Sequence, residues 1–328
     1  MILQTEYLKA GSPDGDGAAL YRAAQLLENS ELVAFPTETV YGVGARVSDE
    51  EAVRKIFAVK GRSWEQALLV HISALRQLSG IVSYISPDAR LLMEEFWPGP
   101  LSIILPRHKD LLPVITGGKT TVGVRMPSHP VAQKLIDITG PLAATSANRS
   151  GRPSPLTAEH VRADLNGMIA AIVEGGPAVQ GMESTIIDLS RVPYLILRRG
   201  SITVSAMESV LGKPLSISSA DGGTKEYLTS YRLEVAGSEE DFRRRLAENQ
   251  RKSLGIISFA QTGKTLLSGI YDIKAEYVLG ADEKGSEFFS VLRDAEQKNL
   301  DILLVAPLPD SISESLRDRI SRAAARDG

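Results

Sequence analysis

Residues 120–145, TTVGVRMPSHPVAQKLIDITGPLAAT, decide the fold class. An apolar, β-branched run at 120–125 is followed by a helical pattern over 130–138 and a second strand-like run, "PLAAT", at 141–145. Strand and helix periods alternating in this way mark an α/β domain. The same alternation extends outward. "LVAF" (32–35), "ALLVHI" (67–72), "LSIIL" (101–105), "MIAAIV" (168–173), "STIIDL" (184–189) and "YLILR" (194–198) read as strands. Helices are expected over 49–58, 87–95 and 157–164, with Ser48 in capping-box spacing to Glu51 and Thr157 capping the last. A Ser-, Gly- and Asp-rich stretch then lacks apolar periodicity. The expected organisation is a first domain over 1–212, a linker over 213–230, and a smaller α/β domain over 231–328.

Composition narrows the function classes. The 328 residues are 43% hydrophobic and 23% charged, as in ordinary globular chains. No run approaches the roughly 18 apolar residues of a membrane span, and the first residues carry no secretory pattern, so a cytoplasmic location and no membrane partner are expected. With no cysteine there is no disulfide, thiolate metal site or cysteine nucleophile. The four histidines, His71, His108, His129 and His160, contain no metal-binding pair, so no protein-caged metal is expected. Net charge is -3, and residues 1–205 carry 20 basic and 20 acidic side chains, so neither part is a basic nucleic-acid platform in bulk.

Several motifs carry chemistry. In "FPTETVYGVGA" (35–45), hydroxyls and glycines follow a strand, which suits either a small polar ligand or a tight turn. In "VKGRSW", Lys60 and Arg62 stand two apart, so in extended chain both project to one side; the pair suits a triphosphate or a solvated face. "ATSANRSGRPSP" (144–155) places Ser146 and Asn148 in one phase after a strand, as an anion cradle or a polar loop. Arg125 ends an apolar strand and requires an anionic partner, from a substrate carboxylate or from a structural Asp or Glu. Ser184 and Thr185 open a strand, and Arg198 and Arg199 leave one. His71 in "LLVHI" reads on residue chemistry alone as a hydrogen-bonded strand histidine. "SFAQTGKT" (258–265) lacks the first glycine of a phosphate loop, which argues against a nucleotide role for Lys264.

Together, "PTETVYGVGA", "KGRS", "FWPGPLSIIL", "TVGVRMPSHPVA", "GPLAATSANRSGRPSP", "GMESTIIDL" and "LRRGSI" resemble, in order and spacing, the YrdC-like threonylcarbamoyl-AMP synthase family in its long two-domain form. The resemblance covers about residues 15–210 strongly and the remainder loosely. It implies an open, strongly twisted mixed α/β sheet with a concave cavity, followed by a smaller Rossmann-like α/β domain. It implies an enzyme that condenses L-threonine, bicarbonate or CO2, and ATP into threonylcarbamoyl-AMP and pyrophosphate. The product is then passed to a tRNA threonylcarbamoyl transferase complex, and weak RNA binding is compatible with that role.

By the same resemblance Lys60, Arg62, Ser146, Asn148 and Arg198 bind ATP, Lys60 and Arg62 being catalytic, with Mg2+ carried on the nucleotide. Thr37, Tyr41, His71, Arg125 and Ser184 line the threonine pocket, and Tyr227 and Tyr231 form a linker gate. The chain departs from the family pattern at Ser63 and Ala67, which replace prolines, and at Arg199. Its linker, "GGTKEYLTSYRL", keeps Lys225, Tyr227 and Tyr231 but lacks the family's histidine and two prolines. Two other functions are carried as alternatives: a carbamoyl-adenylate-forming paralogue with another substrate, and a non-catalytic RNA-binding module.

Overall fold

The computed structural model describes residues 4–10, 17–218, 227, 229–259, 272–280 and 286–324. They fall into two compact units. The first comprises 1–150 and 154–218; the second comprises 151–153 and 219–328.

The first unit runs β1 (Glu6–Lys9), α1 (Gly17–Glu28), β2 (Val33–Phe35), β3 (Gly42–Arg46), α2 (Glu50–Lys60), β4 (Leu69–His71), α3 (Pro87–Phe96), β5 (Leu101–Pro106) and α4 (Pro113–Thr116). It continues β6 (Thr121–Arg125), α5 (Pro130–Thr139), β7 (Leu142–Ser146), α6 (Ala158–Leu165), β8 (Ala171–Glu174), β9 (Thr185–Asp188), β10 (Leu195–Arg198), α7 (Val204–Leu211) and β11 (Ser216–Ile217). Among the described residues eleven strands form one mixed sheet, ordered β1-β8-β2-β3-β7-β4-β6-β5-β9-β10-β11.

Alternation along the strands divides the sheet into two faces. Val70, Ala143, Val124, Ile103 and Ile187 join Val53 and Ile56 of α2 and Leu92 of α3 in the main core. On the other face Phe35, Leu142 and Ala144 pack with Leu27 of α1 and Leu135 of α5. Each fully buried aliphatic side chain contributes about 1.5–3 kcal/mol.

Several elements were not visible in the periodicity. β3 hides inside the "FPTETVYGVGA" motif because one of its faces is glycine. Val43 and Ala45 enter the main core, whereas a Cβ on Gly44 would meet the Phe35 ring at 3.1 Å and the Ala143 carbonyl at 3.2 Å. An alternation of valine with glycine carries no hydropathy signal on the glycine side. The helices α1 and α7 and the edge strands β1 and β11 were likewise missed. β11 pairs in parallel with β10, so residues 216–217 belong to the first sheet rather than to the expected linker. The N-cap of α2 is Asp49, which accepts from the Ala52 N–H at 2.9 Å, not Ser48; the helix starts one residue later than the Ser48 spacing requires. Thr157 caps α6 as expected.

The second unit comprises β12 (Arg232–Val235), α8 (Glu239–Glu248), β13 (Leu254–Phe259), β14 (Ile273–Leu279), α9 (Ser286–Gln297), β15 (Ile302–Val305) and α10 (Glu314–Ala324). Among the described residues its four strands are all parallel, ordered β12-β15-β13-β14, around Leu254, Ile256, Ile302 and Leu304. The triplet 151–153 counts with this unit: Arg152 pairs with Glu296 at 2.6 Å, and Arg293 donates to the Pro153 carbonyl.

Because the α2 cap resides in Asp49, Asp49→Ala lowers stability by about 1 kcal/mol, whereas Ser48→Ala stays within about 0.5 kcal/mol of the parent. Urea denaturation midpoints of the two variants measure the difference.

Candidate active site

The register of three neighbouring strands brings the polar side chains together. His71 of β4 pairs with Arg125 of β6, and Arg125 pairs with Ser102 of β5. Directly paired residues project to the same face, so the imidazole, guanidinium and hydroxyl form a lateral row on the face opposite Val70, Val124 and Ile103. The row continues into the start of β9, where Ser184 Oγ lies 2.8 Å from Ser102 Oγ. Arg198 of β10 closes it, donating from Nη2 to Ser184 Oγ and from Nε to the Ser184 carbonyl, each at 3.0 Å.

Arg125 is 4% exposed and holds three partners. Nη2 pairs with Glu38 Oε1 at 2.8 Å, Nη1 donates to Thr39 Oγ1 at 2.8 Å, and Nε donates to the Gly99 carbonyl at 3.3 Å. The required counter-ion is therefore Glu38, whose other oxygen accepts from the Ser128 N–H at 3.1 Å. His71 is buried, its ring nearly perpendicular to that of Phe35. Burial and the neighbouring Arg125 charge push its pKa down to about 3, so it is a neutral imidazole at physiological pH.

A second cluster lies at the other end of β7. His71 pairs with Leu142 at the strand's beginning, while Ser146 ends it four residues on, about 13 Å along the strand. Lys60, the last residue of α2, donates from Nζ to the Ser146 carbonyl, to the Asn148 carbonyl at 2.6 Å and to Asn148 Oδ1 at 3.3 Å. Gly61 then adopts φ +62, a left-handed C-cap that turns the chain sharply. Lys60 and Arg62 thus converge through a helix terminus, not through the extended segment expected from their spacing. Arg62 donates to Thr145 Oγ1 at 3.1 Å and to the Ala67 carbonyl at 3.0 Å. Burial and the Arg62 charge push the Lys60 pKa down to about 7, opposed by Asp164 on α6.

Thr37 sets the turn between β2 and β3. Its Oγ1 donates to the Val40 carbonyl at 2.6 Å, accepts from the Thr39 and Val40 N–H groups, and lies 2.9 Å from Thr39 Oγ1. Tyr41 is fully buried, its hydroxyl donating to the Gly176 carbonyl at 2.7 Å, and burial lifts its pKa to about 12.

The structure thus brings Thr37, His71, Arg125, Ser184 and Arg198 into one contiguous region, and Lys60, Arg62, Ser146 and Asn148 into another on the same sheet. Tyr227 and Tyr231 are placed inside the second unit. Tyr227 packs edge-on against Phe289 at 5.6 Å between centroids, and the Tyr231 hydroxyl donates to the Leu292 carbonyl at 2.9 Å. Lys225 and the 260–265 part of "SFAQTGKT" lie outside the described residues.

Three participants were not singled out from sequence. Glu38 is the one acid in residues 35–45, so the demand of Arg125 for a buried counter-ion could have named it. Ser102 interrupts an apolar strand on the phase facing Arg125. Glu183 accepts from Ser154 Oγ at 2.6 Å, one residue before Ser184. Among the described residues no group of three or more His, Asp or Glu side chains is arranged to hold a metal ion, and no helix is long and apolar enough to cross a membrane.

Comparison with known proteins identifies the family. The family model described as "Telomere recombination", for Sua5, YciO and YrdC proteins, matches residues 25–200. The threonylcarbamoyl-AMP synthase of Pyrococcus abyssi is 37% identical over 92% of this chain and 93% of its own. The Bacillus subtilis protein of the same name is 36% identical, over 92% of each chain. The crystal structure of P. abyssi Sua5 complexed with L-threonine superposes with a TM-score of 0.86 at 34% identity, covering 98% of this chain and 97% of that one. With its core motifs, strand register and nearly full-length relatives in agreement, the chain belongs to the Sua5/YciO/YrdC family.

Proposed function

We propose that the chain is a threonylcarbamoyl-AMP synthase, condensing L-threonine, bicarbonate or CO2, and ATP to threonylcarbamoyl-AMP and pyrophosphate. The observation that carries the reading is the His71–Arg125–Ser102–Ser184–Arg198 row, which offers one buried guanidinium, one neutral imidazole and paired hydroxyls to a small amino acid. Arg125 receives the threonine carboxylate, with Ser184 and His71 as neighbouring polar contacts and Thr37 and Tyr41 shaping the wall. The neutral amine adds to CO2, forming the N–C bond of a carbamate and releasing a proton. A carbamate oxygen then attacks the α-phosphorus of ATP, and the bond to the leaving pyrophosphate breaks. Orientation and charge stabilisation supply most of the acceleration.

Lys60, Arg62, Ser146, Asn148 and Arg198 hold the triphosphate in this reading, Lys60 and Arg62 balancing its charge. Mg2+ bound with ATP neutralises further phosphate charge. The described donor set fits a metal carried on the nucleotide, since lysine, arginine, serine and asparagine here build no carboxylate cage. The same proposal places the protein in the cytoplasm and hands its product to a tRNA threonylcarbamoyl transferase complex, with at most weak RNA contact of its own.

The reading is tested by pyrophosphate release with ATP, Mg2+ and bicarbonate, with and without L-threonine, and by mass detection of the adenylate. Threonine-dependent release together with the threonylcarbamoyl-AMP mass is the expected result. Turnover only with carbamoyl phosphate, or RNA binding without turnover, overturns it. Serine differs from threonine by one methyl group, so its kcat/KM falls below that of threonine by about 10–200-fold, as measured in the same assay. Lys60 gives a proton-linked signature. Its pKa near 7 leaves it largely neutral at pH 8, and the arriving phosphates raise that pKa, so ATP binding takes up close to one proton at pH 8 and almost none below pH 6. Calorimetry in buffers of different ionisation enthalpy reads this uptake, and Lys60→Met abolishes it.

A further inference from the structure

The hydrogen bonds around Arg125 have a definite direction. A threonine hydroxyl has a single proton. That of Thr37 is directed to the Val40 carbonyl at 2.6 Å, so in the 2.9 Å contact between the two hydroxyls Thr39 is the donor. Thr39 Oγ1 is then the acceptor for Arg125 Nη1 at 2.8 Å. The chain runs from Arg125 through Thr39 and Thr37 to the backbone, each link polarising the next. Glu38, between the two threonines, bridges Arg125 Nη2 at 2.8 Å and the Ser128 N–H at 3.1 Å, and its carbonyl accepts from the Gln180 N–H at 2.8 Å. A guanidinium has five N–H donors. Gly99 and Thr39 accept from Nε and Nη1, and Glu38 Oε1 lies 2.8 Å from Nη2 as an ion pair without hydrogen-bond geometry, so both terminal nitrogens keep N–H groups beyond these bonds. N–H groups on the two terminal nitrogens of a guanidinium form a fork that binds a carboxylate bidentately.

We infer that Glu38 is a positioning residue for substrate binding: with Thr39 it holds Arg125 in place so that N–H groups on its terminal nitrogens stay presented to the amino-acid carboxylate. The inference rests on reading Arg125 as the site of the substrate carboxylate.

Glu38→Gln is close to isosteric and tests this. It removes the charge that pairs with Arg125 and keeps one oxygen for the Ser128 N–H. The expected result is a threonine KM raised about tenfold or more, the range of a hydrogen bond to a charged group. ATP KM should be unchanged and kcat at saturating threonine within a few-fold, while the melting temperature falls because the buried arginine loses its counter-ion. An unchanged threonine KM overturns the inference; a lowered one also overturns it, since Glu38 would then compete with the substrate instead of orienting its receptor. If Glu38→Gln does not fold, Thr39→Val removes the second fixing contact and carries the same expectation. A readout independent of turnover is the 15N spectrum of the arginine side chains: Arg125 shows slow rotation about its Cζ–Nη bonds in the parent, and Glu38→Gln abolishes it. Free rotation in the parent overturns the inference. A parent that shows slow rotation but no threonine-dependent pyrophosphate release would instead count against the functional reading while leaving Glu38 as the anchor of Arg125.

Discussion

The register of β4 between β7 and β6 is the constraint on which the site depends. Side chains alternate across a sheet, so a slip of one residue would exchange the two faces. Val70, Val124, Ile103 and Ala143, each fully buried in the main core, make that exchange costly. Their burial fixes where His71, Arg125 and Ser102 project. The polar row is in this sense a product of the apolar one: hydrophobic side chains decide which atoms a substrate can meet, and no polar contact has to choose the register. An arginine placed this way must bring its counter-ion with it, and the turn after β2 delivers Glu38 to Arg125.

The two cationic clusters use opposite strategies. Arg125 is neutralised by a carboxylate and keeps a fixed geometry. Lys60 has carbonyl and amide oxygens at its ammonium, with the Asp164 charge helping and Arg62 opposing. A guanidinium remains charged under either arrangement, whereas an amine in the second can lose its proton. The residue types therefore separate a constant charge, suited to holding a carboxylate, from an adjustable one that strengthens when a polyanion arrives.

Much of this was legible in the sequence because strands buried on both sides announce themselves. "LSIIL", "ALLVHI" and "TTVGVR" were all found, and the acidic partner that Arg125 requires was anticipated as a type, though not as Glu38. What escaped was information held in shape. β3 was invisible because its second face is glycine under the Phe35 ring. Lys60 and Arg62 were paired for the wrong reason, since a left-handed glycine at a helix end brings residues together as effectively as an extended strand does. Tyr227 and Tyr231 were read from a motif position, and their burial against Phe289 and Leu292 depends on tertiary neighbours that linear spacing does not encode.

The division of the chain is discontinuous: three residues from the middle of the sequence, Gly151–Pro153, belong to the second unit. No single cut of the polypeptide separates the two units cleanly. Cleavage after residue 218 leaves the triplet behind without Glu296 for Arg152 and without Arg293 for the Pro153 carbonyl. The severed site lies three residues from Asn148, whose oxygens accept from Lys60 Nζ. A shortened chain would have to re-close that loop with new contacts, so the second unit cannot be treated as an appendage added at the carboxyl end.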